Sequence, residues 1–134
     1  GAHGHDGPVY IRLGKKGEPK IHDSMPTIHI GGSLEILSGN DVCLIATGPI
    51  LKEVLDAANS LKQEGISARV ISFYSAKPID TKTLYEVFSN FPLVVSIEEH
   101  KIGGVGSAIS EWIVNNNINT KVFFFDVYTR PNLP

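Results

Sequence analysis

The fold is decided by residues 41–65, which read DVCLIATGPILKEVLDAANSLKQEG. The continuous apolar run over residues 41–47 is typical of a strand that is covered on both faces of a sheet. Pro49 suits the first position of a helix, and apolar residues then recur at helical spacing until Gly65, a good helix stop. The stretch therefore predicts a buried strand that leads into an amphipathic helix beginning near Pro49.

The alternation of strand and helix continues to the end of the chain. Buried runs predict strands at residues 68–73, 93–97 and 122–127, and further helices are expected to begin near Asp80 and Gly106. Strands that alternate with helices of this length form right-handed βαβ units. The expected fold class is α/β, with a doubly wound, mostly parallel sheet of about five strands, helices on both faces and room for one antiparallel edge strand.

The first 26 residues differ in composition from the rest. The chain opens with Gly-Ala-His-Gly and no initiator methionine, which suits a cleaved tag or a piece of a longer polypeptide. Residues 8–13 predict a short edge strand, and the polar residues 14–26 predict a linker. We therefore expect residues 1–26 to be a tag remnant or interdomain linker with a short strand.

Residues 27–134 are expected to form one domain. Within it, residues 27–30 are β-rich and suit the antiparallel strand at one edge of the sheet, whereas residues 33–38 fit either a strand or a turn. The whole chain has 134 residues, of which 42% are hydrophobic and 19% charged, as in a soluble globular protein.

Charge and cysteine content exclude several classes of protein. The net charge is −2 and no basic stripe is present, so nucleic acid is not an expected partner. No apolar run approaches the roughly 18 residues that span a bilayer, so no membrane is expected either. Cys43 is the only cysteine and lies in an apolar run, which favours a small buried hydrophobe and a reducing, cytoplasmic setting. His3 and His5 lack further ligands, so we predict no metal site.

Polar residues follow the strand predicted at residues 93–97. Glu98 and Glu99 are neighbours, so their side chains should leave opposite faces of an extended backbone and form a poor acid/base pair. His100 could titrate near neutral pH. No nucleophile accompanies these groups, and we therefore favour a role in capping the strand and crossing an interface over a role in catalysis.

A glycine-rich turn precedes the third predicted helix. The segment is Gly103-Gly104-Val105-Gly106-Ser107, and a helix N-terminus of this kind is a natural anion site. It lacks the glycine spacing of a dinucleotide fingerprint and the lysine of a P-loop. A structural turn is the favoured interpretation, with phosphate binding as the alternative.

Five segments, in this order and spacing, resemble the C-terminal domain of transketolases: GPVYIR at 7–12, GNDVCLIATG at 39–48, GISARV at 65–70, KPID at 77–80 and EEHKIGGVGSA at 98–108. A similar domain closes deoxyxylulose-phosphate synthases and the β subunits of 2-oxoacid dehydrogenases. The Glu-Glu-His form looks closer to transketolases, particularly those that are split into two subunits.

The resemblance implies an enzyme that transfers two-carbon ketol units between sugar phosphates with thiamine diphosphate and Mg²⁺. In that family the cofactor lies between a pyrophosphate-binding and a pyrimidine-binding domain, both upstream, and this chain contains no Gly-Asp-Gly metal motif. The expected partners are therefore those domains, in a homodimer or a split heterotetramer. We expect no catalytic or cofactor-binding residue in this chain, no cofactor bound to it and no activity from it alone.

The resemblance also suggests site residues. The position at which transketolases contact the substrate phosphate through arginine falls at Lys15, which lacks the bidentate fork of arginine. Subunit or domain contacts are expected from the carboxyl edge of the sheet, at Glu98, Glu99, His100, Gly103, Gly104, Gly106 and Ser107. Two other classes stay open: a docking module that recruits an acyltransferase, and a nucleotide-binding protein.

Overall fold

The computed structural model describes residues 4–11, 17, 20–22, 24–100 and 102–126. The strands are β1 (Leu34–Leu37), β2 (Val42–Ala46), β3 (Ala68–Ser72), β4 (Leu93–Glu98) and β5 (Lys121–Asp126). The helices are α1 (Leu51–Gln63), α2 (Thr81–Asn90) and α3 (Val105–Asn115), and a short 3-10 turn over Gly48–Ile50 leads into α1.

The strands form one five-stranded sheet in the order β1-β3-β2-β4-β5. β3, β2, β4 and β5 run parallel to one another, and β1 pairs with β3 in the antiparallel direction. The predicted α/β fold with a mostly parallel sheet and an antiparallel edge strand is therefore confirmed.

The two faces of the sheet carry separate apolar cores. On one face, Cys43 and Ile45 of β2 pack with side chains of α2 and α3. On the other face, Val42 and Leu44 of the same strand pack with α1. All of β2 is buried, which explains why its sequence is continuously apolar rather than alternating.

Asp80 begins α2 as predicted. Its carboxylate accepts hydrogen bonds from the amide of Thr83 at 3.0 Å and from the hydroxyl groups of Thr83 and Ser33, each at 2.8 Å. Partial burial of Asp80 opposes its charge, but these hydrogen bonds outweigh burial and lower the pKa of the carboxyl group.

The antiparallel edge strand is β1, and its prediction at residues 27–30 was wrong. The amide of His29 donates to the Tyr74 hydroxyl at 3.4 Å, and the amide of Gly31 donates to Ser75 Oγ at 2.9 Å. These bonds hold the segment across the carboxyl end of β3, where it cannot run along an edge. Gly31, with φ of 81°, then turns the chain into β1.

The strand predicted at residues 8–13 is also corrected. Residues 8–11 are exposed and form no strand, because none of the described strands lies beside them to accept their hydrogen bonds. Arg12 and Leu13 lie outside the described residues, as does Val127 at the predicted end of β5. No helix within the described part of the chain has the length and apolar character to cross a membrane.

Candidate functional site at the carboxyl edge of the sheet

Glu98 ends β4 and caps α3 from outside that helix. Its Oε2 accepts a hydrogen bond from the amide of Val105 at 2.9 Å, and its Oε1 accepts one from the amide of Gly106 at 2.7 Å. The N-cap residue of α3 is Gly104, which has no side chain to do this. Glu98 therefore satisfies amides that helix geometry leaves without partners, and its charge suits the positive end of the helix dipole.

Gly104 and Gly106 of the turn are required by this contact. A Cβ atom on Gly104 would lie 1.9 Å from Glu98 Oε2. A Cβ atom on Gly106 would lie 2.8 Å from Glu98 Oε1 and 3.0 Å from a ring carbon of Phe124. The turn is thus shaped around the carboxylate of Glu98, and the two amides that an external phosphate would use already hold an anion.

The remaining residues predicted at this edge divide by burial. Glu98 is 5% exposed, whereas its neighbour Glu99 is exposed, as expected for successive side chains of an extended backbone. His100, beyond the end of β4, is also exposed. Gly103 is exposed, and its amide donates to Ser107 Oγ at 2.8 Å. The structure therefore brings Glu98, Gly104 and Gly106 together inside the chain. The interface role of the group stays a prediction.

Asp126 joins Glu98 at this edge, although it was not among the predicted site residues. The two residues are in register on the neighbouring parallel strands β4 and β5, and Asp126 is 8% exposed. Both line a cavity of about 100 Å³ together with Ser96, His100, Gly106, Ser107, Ser110, Phe124 and Phe125. Only the pairing of β4 with β5 reveals this juxtaposition, since 28 positions separate the two acids in the chain.

A larger open groove of about 420 Å³ lies at the amino edge of the sheet. Arg69 of β3 crosses it, with Nε 2.6 Å from Glu35 and Nη1 2.6 Å from Glu86. Partial burial of Arg69 opposes its charge, but the hydrogen bond to Glu86 and the charge of Glu35 outweigh burial and raise the pKa of the guanidinium. The cation in the groove, Arg69, is therefore already paired with more than one carboxylate, and this pairing disfavours the binding of a phosphorylated ligand there.

Cys43 is fully buried, which confirms its interpretation as a core residue. Burial raises the pKa of the thiol to about 12, so the residue is neither a nucleophile nor a metal ligand near neutral pH. Lys15, the predicted phosphate contact, lies outside the described residues. Among the residues that are described, no three His, Cys, Asp or Glu side chains are grouped to hold a metal ion.

Comparison with known proteins agrees with the fold and with the motifs at this edge. Residues 32–131 match the family described as "Transketolase, C-terminal domain". One subunit of the apulose-4-phosphate transketolase of Actinobacillus succinogenes is 38% identical over 112 residues, which are 82% of this chain and 36% of that protein. A putative transketolase C-terminal section of Methanocaldococcus jannaschii is 35% identical over 121 residues, which are 88% of this chain and 37% of that protein.

A solved structure of similar fold leads to the same family. It is a split-gene transketolase in an inactive beta4 tetramer, with a TM-score of 0.75 and 34% sequence identity. The match covers 87% of this chain and 40% of that chain. This chain thus spans well under half the length of the relatives it matches, and over that span it belongs to the transketolase C-terminal domain family.

Proposed function

We propose that the chain is the C-terminal domain of a transketolase-like enzyme that transfers two-carbon ketol units between sugar phosphates. The observation that carries the proposal is the match of residues 32–131 to the transketolase C-terminal domain. Within that domain, the Glu98 carboxylate fills the helix N-terminus at the edge where ligands of open α/β sheets bind. A domain that fills this position with its own side chain is suited to a supporting role, with the chemistry on other domains.

The carboxyl-edge cavity and the amino-edge groove do not fit thiamine diphosphate. The cavity at the carboxyl edge has about 100 Å³, whereas pockets for ligands of this size have at least about 300 Å³. Its buried acids Glu98 and Asp126, like Glu35 and Glu86 in the amino-edge groove, would oppose a pyrophosphate. We therefore propose that the cofactor and Mg²⁺ are held by pyrophosphate- and pyrimidine-binding domains of the same enzyme. The proposed location of that enzyme is the cytoplasm.

The carboxyl edge is proposed to contact those domains or a second subunit. Glu99, His100 and Gly103 are exposed there, and the buried contact between Glu98 and the glycine turn holds the segment that presents them. Exposed charges at such a contact set orientation and choice of partner more than affinity. The parent enzyme is a homodimer or a split heterotetramer in this proposal.

Activity measurements with and without the partner domains test the function. The chain alone should give no ketol transfer from a ketose phosphate to an aldose phosphate, and calorimetry should detect no binding of thiamine diphosphate with Mg²⁺. Addition of the subunit that carries the cofactor-binding domains should restore turnover. Turnover or tight cofactor binding by the chain alone would contradict the proposal. Restored activity only with pyruvate as the donor would identify the parent as a deoxyxylulose-phosphate synthase instead.

Glu99 provides a separate test of the contact surface. Glu99→Gln in the assembled enzyme should weaken assembly while cofactor binding is kept, because the side chain is exposed and has no role in the core. The exposed Glu53→Gln on α1 is a matched control that should leave assembly unchanged. Intact assembly with a large loss of turnover in Glu99→Gln would make Glu99 catalytic and overturn its assignment to an interface.

A further inference from the structure

The carboxyl-edge cavity contains a buried hydroxyl group that the fold itself does not use. Ser96 of β4 is 2% exposed and lines the cavity of about 100 Å³ between α3 and the strands β4 and β5. None of the described residues forms a hydrogen bond with its Oγ atom. Since nearly all buried polar groups in folded proteins have a partner, Ser96 indicates that the cavity receives a polar group from outside.

Acceptor oxygens predominate on the walls of this cavity. Glu98 and Asp126 contribute two carboxylates that lie in register on neighbouring strands. A carboxylate has acceptor sites for about four hydrogen bonds, so the two amides held by Glu98 and the interaction of Asp126 within the chain leave sites open. The described residues that line the cavity include no lysine or arginine. The ligand that suits these walls is therefore a hydrogen-bond donor with a positive charge.

The end of one lysine or arginine side chain fits the cavity in size and charge. A volume of about 100 Å³ holds several water molecules but lies well below the volume of about 300 Å³ that small-molecule pockets have. Phe124 lines the cavity with a ring that is 44% exposed, and aromatic rings attract ammonium and guanidinium groups. A metal ion suits the cavity less well, because no three His, Cys, Asp or Glu side chains are grouped for one among the described residues.

The position of the cavity favours a side chain over a free amine as its occupant. Glu99 and His100 are exposed at the same edge, which is proposed to contact another domain. A free amine of a few atoms makes few contacts, whereas a side chain on a docked domain is held near the cavity at a high effective concentration. The negative charge of Glu99 beside the cavity would also attract a basic surface. The cationic group is therefore expected to belong to the docked domain.

We propose that the carboxyl-edge cavity binds one lysine or arginine side chain of the domain that holds the cofactor. The inference rests on the proposed function, because it names the chemistry of the contact at this edge. Binding of the cation is measured without substrate or cofactor. An absence of ketol transfer would therefore leave this result intact, and a cavity that binds no cation would leave the proposed activity intact.

Binding of the n-butylammonium ion to the chain tests the proposal, since this ion reproduces a lysine side chain. In an NMR titration with about 0.1 M salt, the amide signals of Ser96, Gly106 and Ser107 should shift to saturation with a Kd of about 10 mM or lower. n-Butanol is the neutral control of the same size and should not shift them. The titration is made at pH 8, where histidine side chains are ordinarily uncharged, so that His100 in the wall does not compete.

Two variants of the cavity separate specific binding from general attraction between charges. Ser96→Ala removes the oxygen without a partner and Asp126→Asn removes one charge, so each should raise the Kd at least about fivefold. Glu99→Gln is the matched control, because it removes the same charge from an exposed position outside the lining, and it should change the Kd less than about twofold. Circular dichroism checks that each variant is folded, and Ser96→Ala carries the test if Asp126→Asn is not.

The assembled enzyme identifies the source of the bound group. With the cofactor-binding domains docked, the cavity is occupied, so saturation-transfer NMR should detect at least about tenfold weaker binding of n-butylammonium than to the chain alone. Equal binding before and after assembly would show that the cavity takes a free amine and would overturn the proposal. Equal shifts with n-butanol, an unchanged Kd in Ser96→Ala, or no saturation up to about 100 mM would overturn it too, and would leave the cavity to water.

Discussion

The Glu98 carboxylate lies 2.7 Å from the amide nitrogen of Gly106, so the last residue of β4 caps the first turn of α3. The bond joins two elements separated by a glycine turn and fixes the angle at which the helix leaves the sheet. Because the carboxylate is buried, loss of this bond would leave amides without partners in a place with little water.

Replacement of Glu98 should destabilise the domain. Glu98→Gln keeps one acceptor but places an amide donor against an N–H group, so we expect the free energy of unfolding to fall by about 1–3 kcal/mol. Urea denaturation followed by circular dichroism measures the change. Glu99→Gln is the control and should stay within about 0.5 kcal/mol, because its side chain is exposed. Equal losses in the two variants would show that Glu98 is no cap.

A methyl group at position 104 should disturb the same contact. Gly104→Ala places Cβ 1.9 Å from Glu98 Oε2, so the carboxylate must move and the free energy of unfolding should fall by about 2 kcal/mol or more. Gly4→Ala is the control, since a Cβ atom there would meet no atom within 4 Å beyond its chain neighbours. Chemical denaturation of both variants and the wild type measures the difference.

A double-mutant cycle separates the clash from other effects. In Glu98→Ala the oxygen that collides with the new methyl group is gone, so Gly104→Ala should cost less in that background than in the wild type. Chemical denaturation of the four proteins gives the coupling free energy. Additive costs would indicate that the loss arises from the backbone of residue 104 and not from the carboxylate.

The Asp80 cap should make stability depend on pH. Its folded-state pKa is below the usual value of 3.8, so the ionised carboxylate stabilises the fold above that pH. Asp80→Ala should lower the free energy of unfolding by about 1 kcal/mol at pH 7, as for other N-cap residues. The difference from the wild type should shrink as pH falls through the folded pKa. Denaturation midpoints at several pH values measure it, and a difference that is constant down to low pH would contradict the assignment.

The Cys43 thiol should be unreactive in the folded protein. Its pKa is raised by burial from 9.0 to about 12, so alkylation by iodoacetamide at pH 8 should proceed only as fast as the protein opens. Because the folded state favours the neutral thiol, the free energy of unfolding should fall as pH rises from 9.0 towards 12. Mass spectrometry with and without urea measures the labelling. Rapid labelling without urea would show that the core around β2 is accessible.

The sequence by itself determined the features that depend on neighbouring residues. The apolar run of β2, the periodic face of α1 and the cap of Asp80 on Thr83 all act within a few positions, so pattern and residue type are sufficient to predict them. The separation of Glu98 from Glu99 follows equally from the alternation of an extended chain. The order of the motifs was enough to indicate the family.

Tertiary structure alone decided which segments meet. Residues 27–30 and β1 are both short and β-forming, but the amides of His29 and Gly31 donate to Tyr74 and Ser75, far along the chain, and these bonds hold the first segment away from the edge of the sheet. Likewise, Glu98 lies beside Asp126 because β5 pairs in register with β4. Such contacts depend on strand order and register, which short-range sequence patterns do not encode.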